Sequence, residues 1–305
     1  MEKHRKKLIK NAAVFDGHSS GLAQGKKIVI EDDIVTEITA DEVSEENFDE
    51  VFDGTGMVAM PGMTDAHVHL GCLFAKGEFP VDYATVLTVA KCKDALMAGF
   101  TTFRDAGSVS EGLKLAFDEG VLPGPRIYPC GAYISQTCGH GDSEYAHTYR
   151  DIQYRHPSST VLVDGVPEII RAVREQFYRG ASHIKLMATE ILNRHEDIRL
   201  LFGTDMMITG PDYQVEQSED IRYYEKRFGT MRALRALTGT ANEVFALTTY
   251  QNPYPKGKIG VLEAGSYADL LLVDGDPTKR VSVLADTDHL RLIMKGGTVY
   301  KNTLC

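Results

Sequence analysis

Apolar and polar positions alternate over short runs at both ends of the chain and recur at helical spacing through its middle. The runs 7–15, 27–30 and 34–38 are separated by Gly17, Gly21, Gly25 and a Glu31-Asp32-Asp33 turn, a spacing that predicts short strands of a small sheet. Residues 267–277 and 290–300, the latter holding a Lys295-Gly296-Gly297 turn, read the same way. The two ends, 1–59 and 256–305, are therefore expected to join in one composite small β-domain. Between them, at 60–255, strand-like and amphipathic helical runs alternate, which predicts an α/β architecture on a parallel sheet or barrel. Strands are expected at 57–69, 100–105, 126–134, 181–187 and 201–205, and helices at 82–98, 111–120, 166–179 and 225–237, with Gly99 closing the first helix. Five central strands fall short of the eight of a closed TIM-type (β/α) barrel. The expected fold is such a barrel lacking strands five to seven, with a β-sandwich domain from both termini beside it.

The 305 residues are 43% hydrophobic and 25% charged, enough for one large core and a smaller module. The net charge of -10 comes without a basic face, which argues against nucleic acid or an anionic membrane as partner. No apolar run approaches a membrane span and the N-terminus has no apolar signal core, so a cytoplasmic location is expected. Five cysteines, Cys72, Cys92, Cys130, Cys138 and Cys305, are widely spaced with no Cys-x-x-Cys and read as free thiols.

Candidate chemistry gathers at strand ends. His67 and His69 are one residue apart on the 57–69 strand, so their side chains share a face and can share a cation. By themselves, two such histidines read equally well as satisfied core residues. Pro61 and Gly62 lead in and Gly71 follows, which sets the pair near the C-terminal end of the strand, where parallel α/β folds keep their active sites. Lys185 has the parity of His183 and Met187 on an apolar run; alone it reads as a lysine whose amine reaches solvent. Asp205, after Gly203-Thr204, reads alone as a helix N-cap. His140 lies inside Gly139-His140-Gly141-Asp142 on the long polar stretch 135–157. Flanked by glycines it could approach a ligand and donate to a developing oxyanion, or sit on an ordinary surface turn. Arg104 and Asp105 read as a structural ion pair.

Taken in order, His-x-His, Lys and Gly-Thr-Asp at successive strand ends resemble the metal-dependent amidohydrolase superfamily. The nearest likeness is to its imidazolonepropionase-like branch, which contains prolidase-like Xaa-Pro and Xaa-Arg dipeptidases. The resemblance implies two divalent metal ions, zinc foremost: His67 and His69 bind one, a carboxylated Lys185 bridges both, and Asp205 binds metal and shuttles the proton. It also implies that His140 faces the substrate. The implied reaction is hydrolysis of an amide bond in a small molecule or dipeptide by a hydroxide held between the metals, and a homo-oligomer is compatible with it. The enzyme would be an Xaa-Pro or Xaa-Arg dipeptidase or an N-acyl amino-acid amidase, next a cyclic amidase or deaminase. The family takes two further histidines from strands five and six, and between Lys185 and Asp205 only His195, in a helical stretch, is on offer. A catalytically incomplete relative acting as a binding protein is therefore the rival expectation. Each strand-plus-helix step takes about 30 residues, so three absent steps amount to about 90 to 120 residues, with the junction expected near Thr189 and Glu190.

Overall fold

The computed structural model describes residues 5–70, 80–107, 111–137, 139, 141–142, 160–187, 199–207 and 217–304. Both ends of the chain enter one β-unit of two sheets. The first orders its strands Ile34–Thr39, Lys27–Glu31, Lys6–Lys10, Glu50–Asp53. The second orders them Thr298–Asn302, Leu290–Lys295, Leu270–Val273, Val58–Pro61, Ala13–Val14. Ile9, Ile28, Ile30, Val35 and Phe52 of the first sheet share a core with Leu270, Leu272, Leu292 and Met294 of the second. The second sheet is covered on its other face too, since Leu271, Val273 and Ile293 belong to the large core of the central domain. Burial on both faces is why Leu270–Val273 is an unbroken apolar run instead of an alternating one.

The chain leaves this sheet at Gly62 and enters a parallel one. A Cβ at Gly62 would lie 2.2 Å from Thr101 Oγ1, so the close approach of the two sheets requires glycine there. The parallel sheet runs Met206–Met207, Met63–His69, Phe100–Asp105, Arg126–Tyr128. Every residue of the histidine strand Met63–His69 is buried except His67, which is partly open. Helix Val81–Met97 packs on this sheet through Ala84, Cys92, Ala95 and Leu96, and Gly99, at φ 89°, ends it in the left-handed conformation that favours glycine.

The departures from expectation have local causes. The third strand divides at Gly131, whose φ is 69°, into Arg126–Tyr128 and Tyr133–Ser135, and the second piece pairs with Thr160–Leu162. Residues 181–187 form no regular strand. They meet the third strand on either side of that kink, through Ser182 N–H to Pro129 O at 2.7 Å, Ile134 N–H to Lys185 O at 2.9 Å and Met187 N–H to Ile134 O at 3.0 Å. A bent partner cannot support a continuous ladder. The helix expected at 225–237 breaks at Gly229, φ 82°, giving Gln217–Phe228 and Thr230–Leu237.

Residues 201–205 run beside the histidine strand, and regular pairing begins only at Met206–Met207, opposite Val68 and His69. The last central strand thus neighbours the first, the relation that closes a barrel, and it does not pair with the Lys185 segment. Residues 188–198, with the junction expected at Thr189 and Glu190, lie outside the described residues. Among the described residues no helix is long and apolar enough to cross a membrane.

Candidate metal centre

Three segments meet at the C-terminal end of the histidine strand. Alternation along Met63–His69 puts Asp65, His67 and His69 on one face. The chain from Phe202 to Asp205 lies against them, with Ala66 N–H bonded to Phe202 O at 2.8 Å and Asp205 N–H to His67 O at 2.9 Å. Gly203 makes this possible: a Cβ there would sit 2.7 Å from the Cβ of His67. Asp205 then adopts a φ of 55°, a left-handed turn that aspartate tolerates better than most residues, and its carboxylate comes back over the strand.

Asp205 Oδ1 lies 3.3 Å from His67 Nε2 and 3.2 Å from His69 Nε2, and the two Nε2 atoms are 3.3 Å apart. One ligand atom from each of the three residues falls within 4.8 Å of the others. Two imidazoles and a carboxylate are the donor set of zinc and related divalent ions. His69 Nδ1 faces the Gly107 carbonyl at 3.5 Å, an orientation that leaves Nε2 free to coordinate. Burial lowers the pKa of both histidines, that of His67 to about 4, with Lys185 adding to the shift. The neutral imidazole this favours is the form that binds metal.

Lys185 closes the cluster from another side, its Nζ 3.1 Å from His67 Nε2. Burial lowers its pKa against the opposing pull of Asp205, and Arg104 adds to the lowering. A neutral amine is the form that can add carbon dioxide and become an anionic ligand. The residues present therefore fit one divalent ion directly, and a carboxylated Lys185 would extend the set toward a second.

Beneath the ligands, fully buried Asp65 accepts from His67 N–H at 3.2 Å, Thr204 N–H at 3.2 Å, Thr204 Oγ1 at 2.7 Å and Gln217 Nε2 at 2.8 Å. It ties the histidine strand to the Gly-Thr-Asp turn and to helix Gln217–Phe228. These donors are all neutral, and burial pushes its carboxyl up to about 6 in spite of them. The sequence reading did not assign this role. Asp65 was legible as the third same-face position on the strand, whereas Gln217, 152 positions away, carries no local signal. Arg104 donates to Ala66 O at 3.3 Å, and Asp105 accepts from Gly107 N–H at 3.2 Å. His140 lies outside the described residues; beside it, Gly141 N–H donates to Ser135 Oγ at 3.1 Å.

A family model described as the Amidohydrolase family matches residues 58–198, a span that takes in His67, His69 and Lys185 and stops short of Asp205. Ochratoxinase of Aspergillus niger is 34% identical over 152 residues, 43% of this chain and 31% of that protein, so the match spans under a third of the relative's length. Among solved structures, a prolidase complexed with N-methylphosphonate-L-proline superposes at a TM-score of 0.82 and 22% identity, covering 97% of this chain and 100% of that one. A Xaa-Pro dipeptidase with methionine bound in its active site superposes at 0.75 and 20% identity, with the same coverage. At these identities the structural likeness establishes the fold.

Proposed function

We propose that this chain, which carries an amidohydrolase-family domain over residues 58–198, is a metal-dependent hydrolase of amide C–N bonds. Its substrates in this reading are Xaa-Pro or Xaa-Arg dipeptides or N-acyl amino acids. The observation that carries the reading is the convergence of His67, His69 and Asp205 ligand atoms within 4.8 Å, with the Lys185 amine 3.1 Å from His67. His67, His69 and Asp205 hold one divalent ion, most naturally zinc, and a carboxylated Lys185 reaches a second. When bound, such ions acidify water toward neutral pH and polarise a carbonyl.

The chain's own residues do the rest. Asp205 is the proton carrier: its carboxylate accepts a proton from the attacking water and delivers it to the leaving nitrogen as the C–N bond breaks. One acid and one amine result. The Asp205 side chain is 69% exposed, so a substrate can reach it, while its backbone is fixed by the bond to His67 O. Asp65 and Gln217 hold the turn that presents it. His140 serves as donor to the developing oxyanion.

Metal analysis combined with a panel of Xaa-Pro, Xaa-Arg and N-acyl amino-acid substrates tests this. Two equivalents of metal per chain and turnover of a panel member are expected. Less than one equivalent and no turnover would replace the reading by that of a non-catalytic relative.

A further inference from the structure

The segment that carries Lys185 has no regular ladder to hold it, and side chains do part of that work. Ser182 N–H donates to Pro129 O at 2.7 Å, and its Oγ lies 2.9 Å from that same oxygen and 2.9 Å from His183 Nδ1. His183 reaches the strand Phe100–Asp105, with Nε2 3.1 Å from the backbone carbonyl oxygen of Asp105. A carbonyl only accepts, so Nε2 is the donor. The two residues are 78 positions apart, and neither takes part in the chemistry proposed above.

Asp105 passes the connection on. It is fully buried at the end of its strand, and its Oδ1 accepts from Gly107 N–H at 3.2 Å. Between them, Ala106 N–H donates to Val68 O at 2.7 Å, which keeps the turn beside His69. Gly107, at φ 148°, lies against Tyr133, where a Cβ would come within 2.3 Å of Cδ1. Its carbonyl faces His69 Nδ1 at 3.5 Å. One line of contacts, from His183 through Asp105 and Gly107 to His69, thus joins the Lys185 segment to the histidine strand from behind the ligand cluster. Groups in that position fix the ring orientation and basicity of a metal-binding histidine.

We propose that His183 is a positioning residue of the metal centre, holding Lys185 through their shared backbone and the His69 ring through Asp105 and Gly107. The proposal rests on the metal-dependent reading of the centre, and it adds to that reading a residue that acts only through others. It also accounts for how an irregular segment carries Lys185 to a defined place: its tie to the second strand is a side chain instead of a ladder.

Zinc affinity, measured by competition with a chelator, and the visible spectrum of the cobalt-loaded chain test it in His183→Leu, His183→Gln and His183→Asn. Glutamine puts an amide N–H at the place of Nε2, whereas the amide of asparagine ends at the place of Nδ1 and falls short of the Asp105 carbonyl. His183→Leu and His183→Asn should each weaken zinc binding by about tenfold or more and alter the cobalt spectrum, and His183→Gln should restore both toward wild type. Asp105→Ala should weaken zinc binding as well, and combined with His183→Leu should add little, because two breaks in one line of contacts are not additive. Wild-type zinc affinity and an unchanged cobalt spectrum in His183→Asn overturn the proposal. So does a His183→Gln that binds zinc no better than His183→Asn, a comparison that holds even where His183→Leu fails to fold. Weaker zinc binding in His183→Asn, restored in His183→Gln, with no amide turned over by the wild type would sink the hydrolase reading and leave the positioning role; turnover by a wild type whose zinc affinity is indifferent to His183 would do the reverse.

Discussion

Arg126 and Arg104 lie on adjacent strands of one sheet, both largely buried, and differ in what answers their charge. Arg126 stands at the seam between the β-unit and the central domain. Its Nε and Nη2 donate to Asp269 at 2.8 and 3.3 Å, and its guanidinium lies 3.9 Å from the centre of the Tyr267 ring. Asp269 in turn accepts from Gly296 N–H at 2.6 Å. Asp269 offsets the cost of burial and holds the pKa of Arg126 above its ordinary value. Arg104 donates to the Ala66 carbonyl and has no carboxylate partner among the described residues, and burial lowers its pKa. The two buried aspartates repeat the contrast: Asp269 faces a cation, whereas Asp65 faces neutral donors and is pushed up toward about 6. At the seam a buried cation and a buried carboxylate answer each other directly, whereas Arg104 and Asp65 are held by neutral groups among the described residues.

The largest effect expected is at the site. Lys185→Ala should abolish amide hydrolysis and strongly reduce occupancy of at least one metal position, because the anion that would join two cations is gone. Metal analysis and turnover of the mutant check it, and wild-type turnover would remove Lys185 from the centre.

At the seam the effect should be on stability. Asp269→Ala leaves Arg126 buried and unmatched, which costs about 3–5 kcal/mol, read as a shift of the urea midpoint. The double substitution Arg126→Met with Asp269→Leu should recover much of that loss. Arg104→Met should cost far less than Asp269→Ala. Equal losses would erase the distinction between the two arginines.

Gln217→Leu should weaken metal binding about tenfold, the lower end for loss of an outer partner, with the chain still folded. It removes one of the bonds that hold Asp65, and through it the turn carrying Asp205. Competition with a chelator measures it, and unchanged affinity would make Gln217 a packing residue only.

A pH dependence is also expected at the seam. Lys295 donates to Gly124 O at 2.5 Å, and burial lowers its pKa from 10.5 to about 8, against the pull of Asp269. The unfolded chain keeps this proton up to 10.5 while the native state releases it near 8, so the contribution of Lys295 to stability is fully present above 10.5 and is lost as pH falls through 8. The stability of wild type relative to Lys295→Met should therefore rise between pH 8 and 10. A flat difference would show that Lys295 stays charged in the folded protein.

Much of the site was legible before folding, because it depends on local periodicity. A period of two puts His67 and His69 on one face whatever surrounds them. Gly203 before Thr204 and Asp205 marks a close backbone approach, here to the Cβ of His67 at 2.7 Å for any added side chain. The strand breaks at Gly131 and Gly229 were less legible, since a glycine permits a left-handed turn without requiring one. Arg104 and Asp105 are neighbours in sequence and suggest a pair, yet consecutive residues of a strand face opposite ways, and the partners identified for them are Ala66 O and Gly107 N–H.

What the sequence by itself determined is the set of faces: an apolar stripe, a histidine pair, alternating ends that seek a common core. Only the tertiary structure decided what stands opposite each face. It brought Gln217 to Asp65 across 152 positions, Asp269 to Arg126 across 143, and no carboxylate of the described residues to Arg104. The physical reason is that a side chain's direction follows from its own backbone, while the compensation of a buried charge depends on which distant segment the whole fold lays against it.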